Sequence, residues 1–344
     1  MKNRLMKGTL ATLVSLLATN ALAATEVTVY TAFETDILAK YKNAFEKENP
    51  DVKIKWVRDS TGIMTAKLLA EKNNPRAEVV WGLAGSSMAL LKEEGVLKPY
   101  SPKGLEDLKP NLNDPQSNQA WFGNDAFFNA ICFNEAVAKQ LNLPKPQSWE
   151  DLTKPVYQGH IAMPNPASSG TGYMQVSAWL QSMGEDQAWN YMKNLDKNIA
   201  HYTHSGSKPC VQAGMGEVAI GISMAVRGAK LINQGAPLAV ITPKGIGWES
   251  EAVGLVKESD AAKRVVDWSV SKSANELYVE SYPVVAHKAV TGNVNNYPEV
   301  QGAMARWTLV RWVRNELRFL KLGLRNLMLS LNQNPNRLVR ILMG

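Results

Sequence analysis

Four times along this chain a short apolar run, of the kind that forms a strand, ends in a turn of Ser, Thr and Gly and passes straight into a helical pattern. Residues 52–57 alternate apolar and polar and lead to Asp59-Ser60-Thr61-Gly62, and residues 78–81 lead to Gly85-Ser86-Ser87. Residues 160–163 lead to Pro164-Asn165-Pro166-Ala167-Ser168-Ser169-Gly170-Thr171-Gly172, and residues 200–202 to His204-Ser205-Gly206-Ser207. Strand–loop–helix units of this length predict a parallel α/β sheet. In such sheets a ligand sits outside the carboxyl ends of the strands, so binding chemistry should gather at these turns.

Other runs complete the pattern. Residues 26–31 predict a strand and 35–48 a helix, stopped at Asn49-Pro50 because proline and its predecessor resist helical geometry. Residues 126–133 form an apolar run suited to a crossing strand, and 218–223 read as a further strand. A length of 344 residues is ordinary for two domains. The predicted division is an N-terminal lobe of 24–125 plus 250–284 and a C-terminal lobe of 126–249 plus 285–305. Crossing segments are expected near 121–134, 244–256 and 282–290.

The two ends stand apart from this body. Lys2, Arg4 and Lys7 precede a short apolar stretch, and Ala21-Leu22-Ala23 supplies a small-x-small cleavage pattern. Residues 1–23 are therefore expected to be a signal peptide, with export to the periplasm. The net charge of +7 is concentrated at the ends, since residues 24–300 hold 27 Lys/Arg against 30 Asp/Glu. A slightly acidic body gives no support to nucleic-acid binding. Cys132 and Cys210 are the two cysteines. In an oxidising compartment they could bridge, or they could be two small buried apolar residues, and the sequence leaves both open.

The run Ser168-Ser169-Gly170-Thr171-Gly172 between a strand and a helix is the strongest chemical signal. Backbone N–H groups at a helix N-terminus bind anions, hydroxyls add donors, and glycine lets the main chain approach closely. Ser and Thr are also ordinary helix caps, so one such turn alone would say little. Several turns together, with Ser60, Thr61, Ser86, Ser205 and Ser207, can surround a single tetrahedral oxyanion. Glu34 follows the first strand at the predicted cleft edge, where a carboxylate suits a ligand that also carries an amine. Asp125, before the crossing segment, is a weaker candidate of the same kind. A helix first-turn Glu serving the dipole is the plainer reading of Glu34. No Gly-x-Ser-x-Gly elbow and no phosphate loop occurs, and the four histidines have no metal-ligand spacing. No catalytic residue, metal site or cofactor is predicted.

At these turns the chain resembles a known family. Tyr30-Thr31-Ala32-Phe33-Glu34, residues 56–62 and 79–84, Ile131-Cys132-Phe133-Asn134, and the runs 163–173 and 202–210 are similar to 2-aminoethylphosphonate ABC-transporter substrate-binding proteins. These belong to the wider ferric-ion-binding-like class of periplasmic receptors. The resemblance covers the chain to about residue 300. It implies a two-lobed periplasmic binding protein of type II, each lobe a sheet flanked by helices, with the ligand in the interlobe cleft. It also implies a non-enzymatic monomer that delivers a small phosphonate to an inner-membrane ABC permease. The phosphonate would lie against Ser169, Gly170 and Thr171, with Ser60, Thr61, Ser205 and Ser207 completing the cradle and Glu34 facing the ammonium. Ferric relatives bind metal through adjacent tyrosines after the strand that here reads Ile220-Gly221-Ile222-Ser223-Met224, and no tyrosine stands there.

From Arg306 the chain departs from that pattern into a basic segment rich in Trp, Leu and Arg. A change of reading frame near this point is one account, and a basic amphipathic helix that binds membrane surfaces is the other. Rival ligands are phosphate, ferric iron or another small anion. A secreted phosphoryl hydrolase is the alternative of another class, and the missing base, nucleophile and metal set argue against it.

Overall fold

The computed structural model of the protein describes residues 24–304, so the predicted signal peptide and the basic tail lie outside the described residues. Nine strands form: β1 (Thr25–Thr31), β2 (Val52–Arg58), β3 (Val79–Ala84), β4 (Trp121–Asn134), β5 (Ile161–Pro164), β6 (Ile199–Thr203), β7 (Ile220–Met224), β8 (Leu238–Ile241) and β9 (Trp248–Leu255). The helices are α1 (Thr35–Glu48), α2 (Thr61–Ala70), α3 (Gly85–Glu93), α4 (Glu135–Leu141), α5 (Gly170–Met183), α6 (Glu185–Asp196), α7 (Lys208–Met215), α8 (Ala225–Asn233), α9 (Asp260–Ser269) and α10 (Lys272–Tyr278).

The two-lobed α/β plan arises from one shared strand. In the first lobe β2, β1 and β3 run parallel, and β9 then pairs antiparallel with both β3 and β4. In the second lobe β7, β5 and β6 run parallel, and β4 pairs antiparallel with β7 and β8. The wholly parallel sheet expected from the strand–helix repeats is therefore mixed. β4 and β9 carry the chain between the lobes and so run against their neighbours. β4 is 14 residues long and buried throughout. It changes partner between Phe128, opposite Trp248 of β9, and Asn129, opposite Met224 of β7.

Residues 285–290 were expected with the second lobe but hydrogen-bond to the first. The Lys109 amide donates to the Ala286 carbonyl at 2.8 Å, and the Ala286 amide to that of Asn124 at 2.9 Å. Residues near 299–303 reach the second lobe, where the Gly245 amide donates to the Ala303 carbonyl at 2.7 Å.

The first lobe is stiffened by an aromatic cluster. Tyr41 stacks on Trp81 with ring centroids 6.0 Å apart, and Phe33 meets Tyr41 edge-on at 5.3 Å. The Trp81 Nε1 donates to the Tyr278 hydroxyl at 3.0 Å, which satisfies a buried polar group inside an apolar shell. In the second lobe Cys132 of β4 is joined to Cys210 of α7, with Cα atoms 5.3 Å apart. The bridge fastens α7, and the turn before it, to the shared strand.

Candidate functional site

The carboxyl ends of β1 and β2 and the starts of α2 and α5 converge on one small cavity between the lobes. Its lining brings together Glu34, Ser60, Thr61, Ser169, Gly170 and Thr171 from the predicted set. Arg58, Glu251, Gly206 and the apolar Ala32, Phe127 and Met224 complete the wall.

The start of α5 supplies an anion cradle for physical reasons. The first amides of a helix lack partners within it. Here the Gly172 amide donates to the Ser169 hydroxyl at 3.4 Å, and the Tyr173 amide to the Ser169 carbonyl at 3.0 Å. Gly170 and Thr171, the first two residues of the helix, both line the cavity, with the helix dipole behind them. Ser169 is thus both a cap and a donor, because its oxygen accepts from Gly172 while its hydrogen stays available. Asn129 of the shared strand holds this turn in place, its Nδ2 donating to the Thr171 carbonyl at 3.1 Å and to that of Ser223 at 3.2 Å.

Close approach explains two glycines. A Cβ on Gly170 would stand 2.9 Å from the Thr61 Oγ1 of the opposite lobe. A Cβ on Gly206 would stand 2.2 Å from the Thr171 Oγ1. Only bare backbone lets these three turns meet.

The two walls are held against each other by polar contacts. The Gly62 amide donates to the Ser168 carbonyl at 3.0 Å, and the Ser60 hydroxyl to the His204 carbonyl at 3.2 Å. The Nε2 of His204 lies 2.7 Å from the Asp59 Oδ1. Burial alone would raise the Asp59 carboxyl, but His204 and the Ser60 amide outweigh it and hold the group below its ordinary range. Arg227 of α8 reaches across to Glu34 at 2.6 Å and to Asp36 at 3.4 Å, and Lys230 also pairs with Asp36.

Five expected positions differ from the simple picture. Glu34 borders the cavity, but its Oε2 already accepts from Arg227 and from the Ser207 hydroxyl at 3.1 Å. It is therefore a neutralised carboxylate rather than an open one. Ser205 and Ser207 back Glu34 instead of lining the cavity: Ser207 donates to Glu34, so Ser205, 3.1 Å away, must donate to Ser207. Ser86 is buried beside a neighbouring cavity, with Ser87, Thr65 and Tyr173, and its amide donates to Glu249 at 2.9 Å. That second cavity shares Thr61, Ser169 and Gly170 with the first. Asp125 is fully buried and lies opposite Glu251 in the β4–β9 register, outside the cavity lining.

Two residues were not anticipated. Arg58 ends β2 immediately before the hydroxyl turn, and its Nε donates to the Phe33 carbonyl at 3.0 Å. Its position at a strand's carboxyl end was a usable signal. Glu251 sits mid-strand with no local motif to mark it. Where ferric relatives would need tyrosines, the apolar Met224 borders the cavity. No three His, Cys, Asp or Glu side chains gather as a metal site among the described residues.

Comparison with known proteins gives matches in sequence and in fold. The sequence profile of the bacterial extracellular solute-binding proteins matches residues 74–308. An uncharacterized protein of Haemophilus influenzae is 32% identical over 250 residues, covering 71% of this chain and 72% of its own. A protein of Sinorhizobium fredii named as a probable ABC transporter periplasmic-binding protein is 28% identical over 240 residues, covering 67% of this chain and 65% of its own. Among solved structures, the periplasmic binding protein AfuA of Actinobacillus pleuropneumoniae with fructose-6-phosphate bound superposes with a TM-score of 0.80. It is 27% identical, and the match covers 86% of this chain and 98% of that one.

Proposed function

The chain belongs to the bacterial extracellular solute-binding proteins, and from that premise we propose that it captures 2-aminoethylphosphonate or a related small phosphonate for an ABC importer. It is a binding protein, not an enzyme. In this reading it works in the periplasm as a monomer and hands its ligand to an inner-membrane permease.

The observation that carries the reading is the polarity of the cleft. The second lobe offers the start of α5, with Ser169, Gly170 and Thr171, and the first lobe adds the Arg58 guanidinium. The cavity also meets two carboxyl groups, Glu34, already paired with Arg227, and Glu251. A zwitterion with an oxyanion at one end and an ammonium at the other matches that division. Charge-assisted hydrogen bonds to the oxyanion are roughly twice as strong as neutral ones, and closure removes the competing water.

A second reading has its own support. The relative AfuA was solved with fructose-6-phosphate, and a second cavity adjoins the same anion cradle through Thr61, Ser169 and Gly170. Calorimetry with 2-aminoethylphosphonate, inorganic phosphate and fructose-6-phosphate separates them. The aminophosphonate is expected to bind most tightly. Tightest binding of fructose-6-phosphate would overturn the phosphonate reading in favour of the second.

A further inference from the structure

Glu251 lies on β9 in the cleft, opposite Asp125 of β4. Glu251 is 8% exposed and Asp125 0%. The Oε2 of Glu251 and both carboxyl oxygens of Asp125 are buried with no donor from any other residue, and the two carboxyl groups hydrogen-bond each other. No basic side chain among the described residues offsets either group. An ionised carboxylate in such a place is costly, by several kcal/mol for an unpaired buried charge. The pair therefore holds on to protons: burial first, then repulsion from neighbouring carboxylates, raises both groups above the ordinary carboxylate range.

The other ionisable groups around the pair do not supply a cation. Glu34, from the start of α1, adds negative charge and spends its Oε2 on Arg227 and Ser207. Tyr282 hydrogen-bonds Glu251 from the segment after α10, and Tyr41 of α1 and Tyr278 of α10 interact with the pair from the core. Arg58 borders the same cavity, with its Nε bonded to the Phe33 carbonyl. What this corner of the cavity lacks is a positive charge.

We propose that Glu251 receives the ammonium end of the ligand, and that the seated ammonium takes the place of a proton held by the Glu251–Asp125 pair, which leaves to solvent. The inference deepens the zwitterionic reading given above and rests on it. The exchange balances: the ligand enters as an ammonium, one carboxylic acid becomes a carboxylate, and one proton is released per ligand bound. Anion recognition stays with the α5 and α2 turns, while Glu251 sets the preference for an amine.

Calorimetry at neutral pH tests this, run in two buffers of different ionisation enthalpy. The ligands are 2-aminoethylphosphonate and ethylphosphonate, and each is compared between wild-type protein and Glu251→Gln, so that protons exchanged by the phosphonate itself cancel. With the aminophosphonate, wild-type protein is expected to release about one proton more than Glu251→Gln, as linkage requires, and with ethylphosphonate the two proteins should release equally. Aminophosphonate affinity should fall about 30-fold or more in Glu251→Gln, and by a larger factor than ethylphosphonate affinity, because a buried charge pair is lost. Circular dichroism reports that the variant folds. Equal proton release by wild type and variant with the aminophosphonate overturns the role of Glu251, as does a Glu251→Gln variant that keeps its preference for the amine. Wild-type protein that binds neither phosphonate overturns the ligand reading as well.

Discussion

Glu34 and Arg227 meet across the mouth of the cleft at 2.6 Å, one contributed by each lobe. The contact is mostly shielded from water and reinforced by Asp36. It therefore favours the closed form more than an exposed ion pair would. Replacing Arg227 with Ala should remove about 1–3 kcal/mol from closure. Small-angle scattering should then show a larger radius of gyration for the unliganded variant, and ligand affinity should drop about tenfold. Unchanged dimensions and affinity would mean that the pair does not hold the lobes.

Gly170→Ala should act as a wedge. Its Cβ would press on Thr61 from the opposite lobe, so the added methyl obstructs closure while leaving each lobe's own core untouched. Thermal unfolding without ligand should be unchanged, whereas the ligand-induced rise in melting temperature should be largely lost. Overpacking of this kind costs about 1–3 kcal/mol, or roughly tenfold to a hundredfold in affinity.

The Asp125–Glu251 pair also sets a direction for stability against pH. Its folded-state pKa values are raised, so the folded protein binds more protons than the unfolded chain above the ordinary carboxylate range of about 4. The pair costs nothing below that range and destabilises progressively as pH rises through the raised values. Asp125→Asn should remove part of this penalty, so its melting temperature should gain on wild type from acid to mildly alkaline pH. Curves that run parallel would contradict the assignment.

Asp59 works in the opposite sense. His204 and the Ser60 amide hold its carboxyl below the ordinary range, against the effect of burial. Its contribution to lobe closure is therefore present above the unfolded value and lost as pH falls through the depressed one. Ligand affinity should weaken on strong acidification, and Asp59→Asn should blunt that dependence.

Reducing the Cys132–Cys210 bridge should lower stability by about 4.5 kcal/mol on the chain-entropy account, given a sequence separation of 78 residues. The midpoint of chemical unfolding, measured with and without reductant, reads this directly. A Cys132→Ser, Cys210→Ser double variant should match the reduced protein and no longer respond to reductant.

The cradle was legible in the sequence because it is local. A strand end, a Ser-Ser-Gly-Thr-Gly turn and a helix start are contiguous, and each constrains the next. Arg227 and Glu251 were not legible because their importance comes from what the fold sets beside them. The run Glu249-Ser250-Glu251 is polar throughout, as an exposed segment would be, yet it lies in a strand in the middle of a sheet and is buried. Ser205 and Ser207 failed as cavity residues for a related reason. Hydroxyl content marks a turn, but not the direction in which each hydroxyl points.

Since β4 passes unbroken from one lobe to the other, the protein opens around a common spine rather than a loose tether. Swinging the halves apart bends one continuous rod at Phe128 and Asn129, so the travel is confined to what a paired strand will tolerate.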